Sequence, residues 1–282
     1  EETNLVAFKD IKNYADIVSE KNTVLASLAG DIHNEGDIQA ANNIDIDALV
    51  GNIYNHADIS SQNGSIDILA GKDLANLGDL STGNGNLKLQ AKEDVLNLGL
   101  METEEGNIDI ISSNGVIYNV LDADLLTGNG NVTLRAESLE GYYYYFKDAQ
   151  LVPIDAALVQ KSAKGELYYL GANQQKYAVV KNGSIFNEGD ILALGGTITL
   201  EAVKGNLTNY DDFNTLSTDN PNSFANTYKG KAIATGNIDF KAVNGHLYNE
   251  KDLESGENIS LTAAQGLTNF AYNVYAGKDI TL

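Results

Sequence analysis

The chain has 282 residues, 43% of them hydrophobic and 20% charged, with 27 glycines, two prolines and no cysteine. That mixture supports a buried core and many tight turns, and it excludes disulfides and thiolate metal sites. A formal net charge of −21, with Arg135 as the single arginine, excludes the clustered cations that nucleic acid requires and disfavours anionic membrane surfaces. No apolar run approaches the ~20 residues that cross a bilayer, so direct membrane insertion is not expected.

No signal peptide is expected at the Glu1-Glu2 opening, since Leu5 already lies in the register of a repeat. The anchor of the repeat is an Ile/Val/Leu-x-Asn triplet. Its asparagines are Asn13, Asn34, Asn55, Asn76, Asn97 and Asn119, then, after a gap, Asn187, Asn209, Asn249 and Asn269. Asn55, Asn76 and Asn97 are 21 residues apart (76−55 and 97−76), and a fixed period of this size marks a solenoid. Two residues before each asparagine stands an aliphatic side chain, as Ile32, Ile53 and Leu74 do. Upstream lies a period-2 run such as Ile44-Ile46-Ala48, and four residues downstream another aliphatic, such as Ile38, Ile59 or Leu80. Each coil therefore reads as three short strands with apolar groups on one face. Glycine interrupts every unit and no i, i+3, i+4 pattern persists, which excludes helices.

One coil cannot bury its own apolar face, so coils must stack in parallel, ~4.8 Å apart. The predicted fold is all-β: a right-handed parallel β-helix (β-solenoid) of ~21-residue coils with extruded insertions, its hand taken from crossover chirality. The asparagine column is predicted to be structural, because a side-chain amide is donor and acceptor at once and tolerates a left-handed turn. An acid column follows three residues on, at Asp16, Asp37, Asp58, Asp79, Asp190, Asp212 and Asp252. It reads as solvated Asx turns, with calcium shared between stacked acids as the alternative. Otherwise no metal or cofactor is expected.

Residues 1–140 and 181–282 carry the repeat, and 141–180 breaks it. Seven of the 15 tyrosines fall in that break. Tyr142, Tyr143, Tyr144, Tyr145, Tyr168 and Tyr169 are the candidate ligand contacts, since a phenol offers a flat apolar face and a hydroxyl at low entropic cost. The competing reading is a local mini-core. A smaller break spans 211–232, and Tyr54, Tyr118, Phe186 and Tyr248 beside the asparagines are expected to stack on the surface. Because Leu282 ends inside a strand, the chain is expected to be an excerpt of a longer array.

The openings GNIDI (Gly106–Ile110), GNVTL (Gly130–Leu134) and GNIDF (Gly236–Phe240), with the closing N-x-G-D of Asn34–Asp37, Asn76–Asp79 and Asn187–Asp190, resemble a known repeat. It is the haemagglutinin-type repeat of filamentous haemagglutinin and related two-partner-secreted exoproteins. The resemblance covers most of the chain outside the two breaks. It implies a secreted, β-helical stalk on a Gram-negative cell surface, exported through an outer-membrane transporter partner. Such a stalk adheres to a glycan or protein receptor on a host or neighbouring cell, or serves as a spacer in a contact-dependent toxin-delivery filament. The family's secretion-signal domain is not recognisable here.

A carbohydrate-active β-helix enzyme is the rival from another class. Its chemistry would need clustered carboxylates, or calcium-holding acids beside an Arg or Lys base. The acids here belong to the repeat, Arg135 sits in an ordinary strand, and His33, His56 and His246 fall on scattered coils. No catalytic set is expected.

Overall fold

The computed structural model describes residues 1–120, 123–138, 143–147, 150–161, 167–171, 174–209, 230–271 and 273–282. Its body is a parallel β-solenoid of about 11 turns, each near 21 residues. A coil contributes one five-residue strand and two three-residue strands, as in Ile44–Ala48, Ile53–Asn55 and Ile59–Ser61. Equivalent strands of successive coils pair in parallel. Among the described residues they build a first sheet of 11 strands and a second and a third of 10 each.

Register is set by identity of position: Ile66 lies on Ile44, Ile68 on Ile46, and Asn76 on Asn55. A slip of one residue would turn every apolar side chain outward, so the alternation holds it fixed. Ile44, Ile46 and Ala48 are buried, as are their counterparts up the column, while the residues between face out. The three inward faces meet in one continuous core running along the axis. Each Ile or Leu so buried contributes about 1.5–3 kcal/mol.

Inside the second sheet the asparagines form an unbroken ladder. The Asn34 amide donates to Asn55 Oδ1 (2.7 Å), Asn55 to Asn76 (2.7 Å), Asn76 to Asn97 (2.8 Å) and Asn97 to Asn119 (2.8 Å). It begins with Asn13 to Asn34 and continues from Asn119 through Asn187, Asn209 and Asn249 to Asn269. The second amide hydrogen turns into the corner, donating to Ala57, Gly78, Gly99 or Gly189 carbonyls. The expected left-handed turn conformation is not there. These asparagines are the last residues of strands, and among the described residues only Gln174 is a non-glycine with positive φ. Asparagine is needed for its two-sided amide, not for its backbone tolerance.

The corners repeat the same device outside the core. The residue before a strand uses its side-chain oxygen to accept the N–H of its counterpart one coil on. Asp37, Asp58 and Asp79 N–H donate to Asp16, Asp37 and Asp58. Before the second sheet, Asp31, Asn52 and Asp73 N–H donate to Asp10, Asp31 and Asn52. Before the first, Asn107 and Asn131 N–H donate to Asn86 and Asn107. Glycine enters for space: a Cβ on Gly78, Gly85 or Gly99 would run into the carbonyl of the coil below.

The solenoid is interrupted twice. Between the first and second sheets the chain leaves after Ser138 and returns at Asn182, and both ends attach to Asn114: the Ser138 hydroxyl to its side chain (3.4 Å) and the Asn182 amide to its carbonyl (2.9 Å). The interruption forms a five-stranded antiparallel sheet of Tyr143–Lys147, Gln150–Ile154, Gln160–Lys161, Leu167–Leu170 and Lys176–Lys181. At the second interruption 210–229, including Asp212, lies outside the described residues. The third sheet resumes with Lys231–Ala234, whose first two residues fall inside the expected 211–232 break. Ala232 and Ala234 are buried there, and side chains that small gave no strand signal in the sequence.

Lys251 marks the coil after that interruption. It stands two residues past Asn249, where other corners have Gly36, Gly78, Gly99 and Gly189. Its side chain is 1% exposed, and its ammonium reaches past the coil of Asn209 to the carbonyls of Glu188 (2.6 Å) and Gly189 (2.8 Å). Asp190 Oδ1 lies 3.4 Å away.

Candidate aromatic binding surface

The antiparallel sheet positions the tyrosines by its pairing. Tyr145 lies opposite Val152 and Val179, and Tyr169 opposite Tyr177. Alternation then puts Tyr143, Tyr145, Tyr169 and Tyr177 on one face, together with Val152, Ile154 and Val179. Three of the rings cluster: Tyr145 and Tyr169 are 5.0 Å apart between centroids, Tyr145 and Tyr177 5.2 Å, and Tyr169 and Tyr177 6.1 Å. All three are half-buried, over a buried Val179. The Tyr177 hydroxyl donates to Gln175 Oε1 (3.1 Å).

The sequence-predicted set therefore divides. Tyr145 and Tyr169 come together and Tyr143 shares their face, whereas Tyr168 projects from the opposite face, where the Lys176 ammonium sits 4.7 Å over its ring. Tyr142 and the side chain of Tyr144 lie outside the described residues. Tyr177, outside the six candidate ligand contacts, completes the cluster. The signal for it was available: Tyr169 and Tyr177 flank a short polar turn, as paired strands of a hairpin do.

The aromatic column beside the asparagines is not uniform. Tyr54 is half-buried and stacks on His33 (centroids 4.8 Å, planes 22° apart). Burial, with Asp31 and Asp73 nearby, raises the pKa of its phenol. Tyr118 and Phe186, expected on the surface, are buried and meet edge-on at 6.3 Å. The Tyr118 hydroxyl donates to Glu188 (2.7 Å), and Tyr248 donates to Glu250 (2.8 Å).

Among the described residues no group of three His, Asp or Glu side chains is placed to hold a metal ion. The described carboxylates of the acid column accept backbone N–H groups of the next coil. On the first sheet's outer face burial raises the pKa of Asp45, with the stacked Asp67 adding to it, and burial also raises that of Asp47. In the corner column burial pushes Asp94 up to about 7, against donation from the Val116 N–H (2.8 Å), with Asp73 and Glu93 adding.

Chemically, the tyrosine cluster offers apolar ring faces with hydroxyls at their rim, able to stack on a pyranose ring or an apolar side chain. No family model matches the chain, and no curated protein and no solved structure matches it either.

Proposed function

We propose that the chain is a rigid stalk segment of a secreted exoprotein on a Gram-negative cell surface, which adheres to its receptor through the tyrosine cluster. The observation that carries this reading is the half-exposed triad of Tyr145, Tyr169 and Tyr177. It stands on the sheet whose side chains are not committed to coil stacking. The resemblance of the repeat to haemagglutinin-type exoproteins supports the location and export through an outer-membrane transporter. A net charge of −21 works against polyanionic receptors, so the ligand class is a neutral glycan or an apolar protein surface.

The test is a triple substitution, Tyr145→Ser, Tyr169→Ser and Tyr177→Ser, screened on a glycan array and for binding to epithelial and bacterial cells. Loss of binding with an unchanged far-UV spectrum supports the reading. Undiminished binding removes the cluster from it. If the unsubstituted chain binds nothing in either screen, the toxin-delivery spacer is the better reading, and it draws support from the unbroken asparagine ladder.

A further inference from the structure

The outward column of the second sheet is a ladder with one rung left out. Its successive side chains are His33, Tyr54, Ala75, Leu96, Tyr118 and Phe186, paired in register. Tyr54 stacks on His33 at 4.8 Å between centroids, which matches the spacing of the strands beneath. The rings therefore follow the rungs, and the second face of Tyr54 looks toward the level of Ala75. The methyl group there is too short to cover it, and Tyr54, Ala75 and Leu96 are all partly exposed. Two strand spacings, about 9.5 Å, separate the levels of Tyr54 and Leu96. One flat group fits between them, in van der Waals contact with both.

The charge beside this slot is negative. Asp73 lies in the coil of Ala75, and Asp31 in the coil of His33. Each gives its Oδ1 to the corner ladder: Asp31 accepts the Asn52 N–H (2.7 Å) and amide (3.1 Å), and Asp73 the Asp94 N–H (3.0 Å). Neither carboxylate makes an ion pair among the described residues. Burial raises the pKa of the Tyr54 phenol and both acids raise it further, so they act on the ring electrostatically. An aromatic face beside carboxylates fits a planar, weakly hydrated cation, and guanidinium is the side-chain group of that description. A net charge of −21 draws such a cation in. The single arginine of the chain is committed elsewhere, since Arg135 pairs with Glu137 (2.8 Å) and Glu201 (3.5 Å).

We infer that the gap over Ala75, between Tyr54 and Leu96, receives an arginine side chain of a partner protein, its guanidinium stacked on the Tyr54 ring and hydrogen-bonded to Asp73. The site is independent of the tyrosine sheet and of the adhesive reading.

The probe is an acetyl-Gly-Arg-Gly-amide peptide, titrated into the nitrogen-15-labelled chain and followed by amide chemical shifts, beside its citrulline and lysine counterparts. Saturable shifts centred on Leu74–Leu77 are expected, with a Kd on the order of 1 mM for a single side chain. The citrulline peptide, flat but uncharged, should bind about tenfold more weakly or worse, and the lysine peptide more weakly than arginine. Ala75→Tyr fills the empty rung with the residue this column already carries at Tyr54, and should abolish binding with an unchanged far-UV spectrum. Asp73→Asn copies Asn52, which keeps the ladder acceptor, and should weaken binding about tenfold. Citrulline that binds as tightly as arginine overturns the inference by making the slot merely apolar. Undiminished binding by Ala75→Tyr, or equal affinity for lysine and arginine, overturns it by reducing the effect to general attraction of cations to an acidic surface. Absence of saturable shifts up to about 50 mM peptide overturns it as well.

Discussion

The solenoid wall and the tyrosine sheet are both made of short alternating strands, yet they use their side chains differently. In the wall each position meets its own copy one coil away, so the side chains that succeed are those that bond or pack with themselves. Isoleucine stacks on isoleucine, and the Asn55, Asn76 and Asn97 amides pass one hydrogen bond along the axis. In the tyrosine sheet neighbours are antiparallel and unlike: Tyr145 faces Val179, and Tyr143 faces Lys181. Nothing there must repeat, so the surface is free to be specific. The wall supplies a repeating scaffold, and the sheet carries the tyrosines on which the proposed binding rests.

The sharpest way to break this contrast is Asn76→Ala. It strands the Asn55 donor, the Asn97 acceptor and the Gly78 carbonyl inside the core. Each stranded group costs about 1–3 kcal/mol, so a loss of about 4 kcal/mol is expected in denaturant unfolding. Lys251→Met comes next. It removes the donor serving Glu188 and Gly189 and should cost about 2–3 kcal/mol, whereas loss of an exposed ion pair costs under about 1. Gly99→Ala forces a methyl against the Gly78 carbonyl and should cost about 1–3 kcal/mol, read as a lowered melting temperature.

Asp94→Asn sharpens the contrast with a gain. Asparagine already serves this column at Asn52. The Asp94 carboxyl titrates near 7 when folded and near 3.8 when unfolded, so the folded chain holds its proton more tightly. Stability from this group is therefore full below about pH 4, falls as pH rises to about 7, and stays lower above. The variant should match the parent at pH 4 and exceed it by about 1 kcal/mol or more at pH 8. Equal stability at both values would show that the carboxyl is not strained. The smallest effect is expected from the triple tyrosine-to-serine variant, whose solenoid unfolding midpoint should move by less than about 0.5 kcal/mol.

The solenoid was legible because its period is written in the residues themselves: Asn55, Asn76 and Asn97 give coil length, strand phase and inward face together. The corner ladders were only partly legible. Asp37 and Asp58 are exposed, as the solvated-turn reading expected, but the N–H groups their carboxylates accept lie one coil on, a contact 21 residues away that local sequence does not show. Lys251 was invisible for the same reason, since the carbonyls it serves lie 62 and 63 residues back. In the tyrosine sheet composition marked the region, but pairing alone separates Tyr145 and Tyr169 from Tyr168. Antiparallel pairing here depends on where the hairpins turn, and no repeat fixes that.

The most direct measurement joins Ser138 to Asn182, two residues that share Asn114, by deleting 139–181, and follows thermal unfolding alongside receptor binding in the same preparation. A melting temperature within a few degrees of the parent together with complete loss of binding is expected. A collapsed solenoid, or undiminished binding by the shortened rod, would contradict the separation of scaffold from recognition.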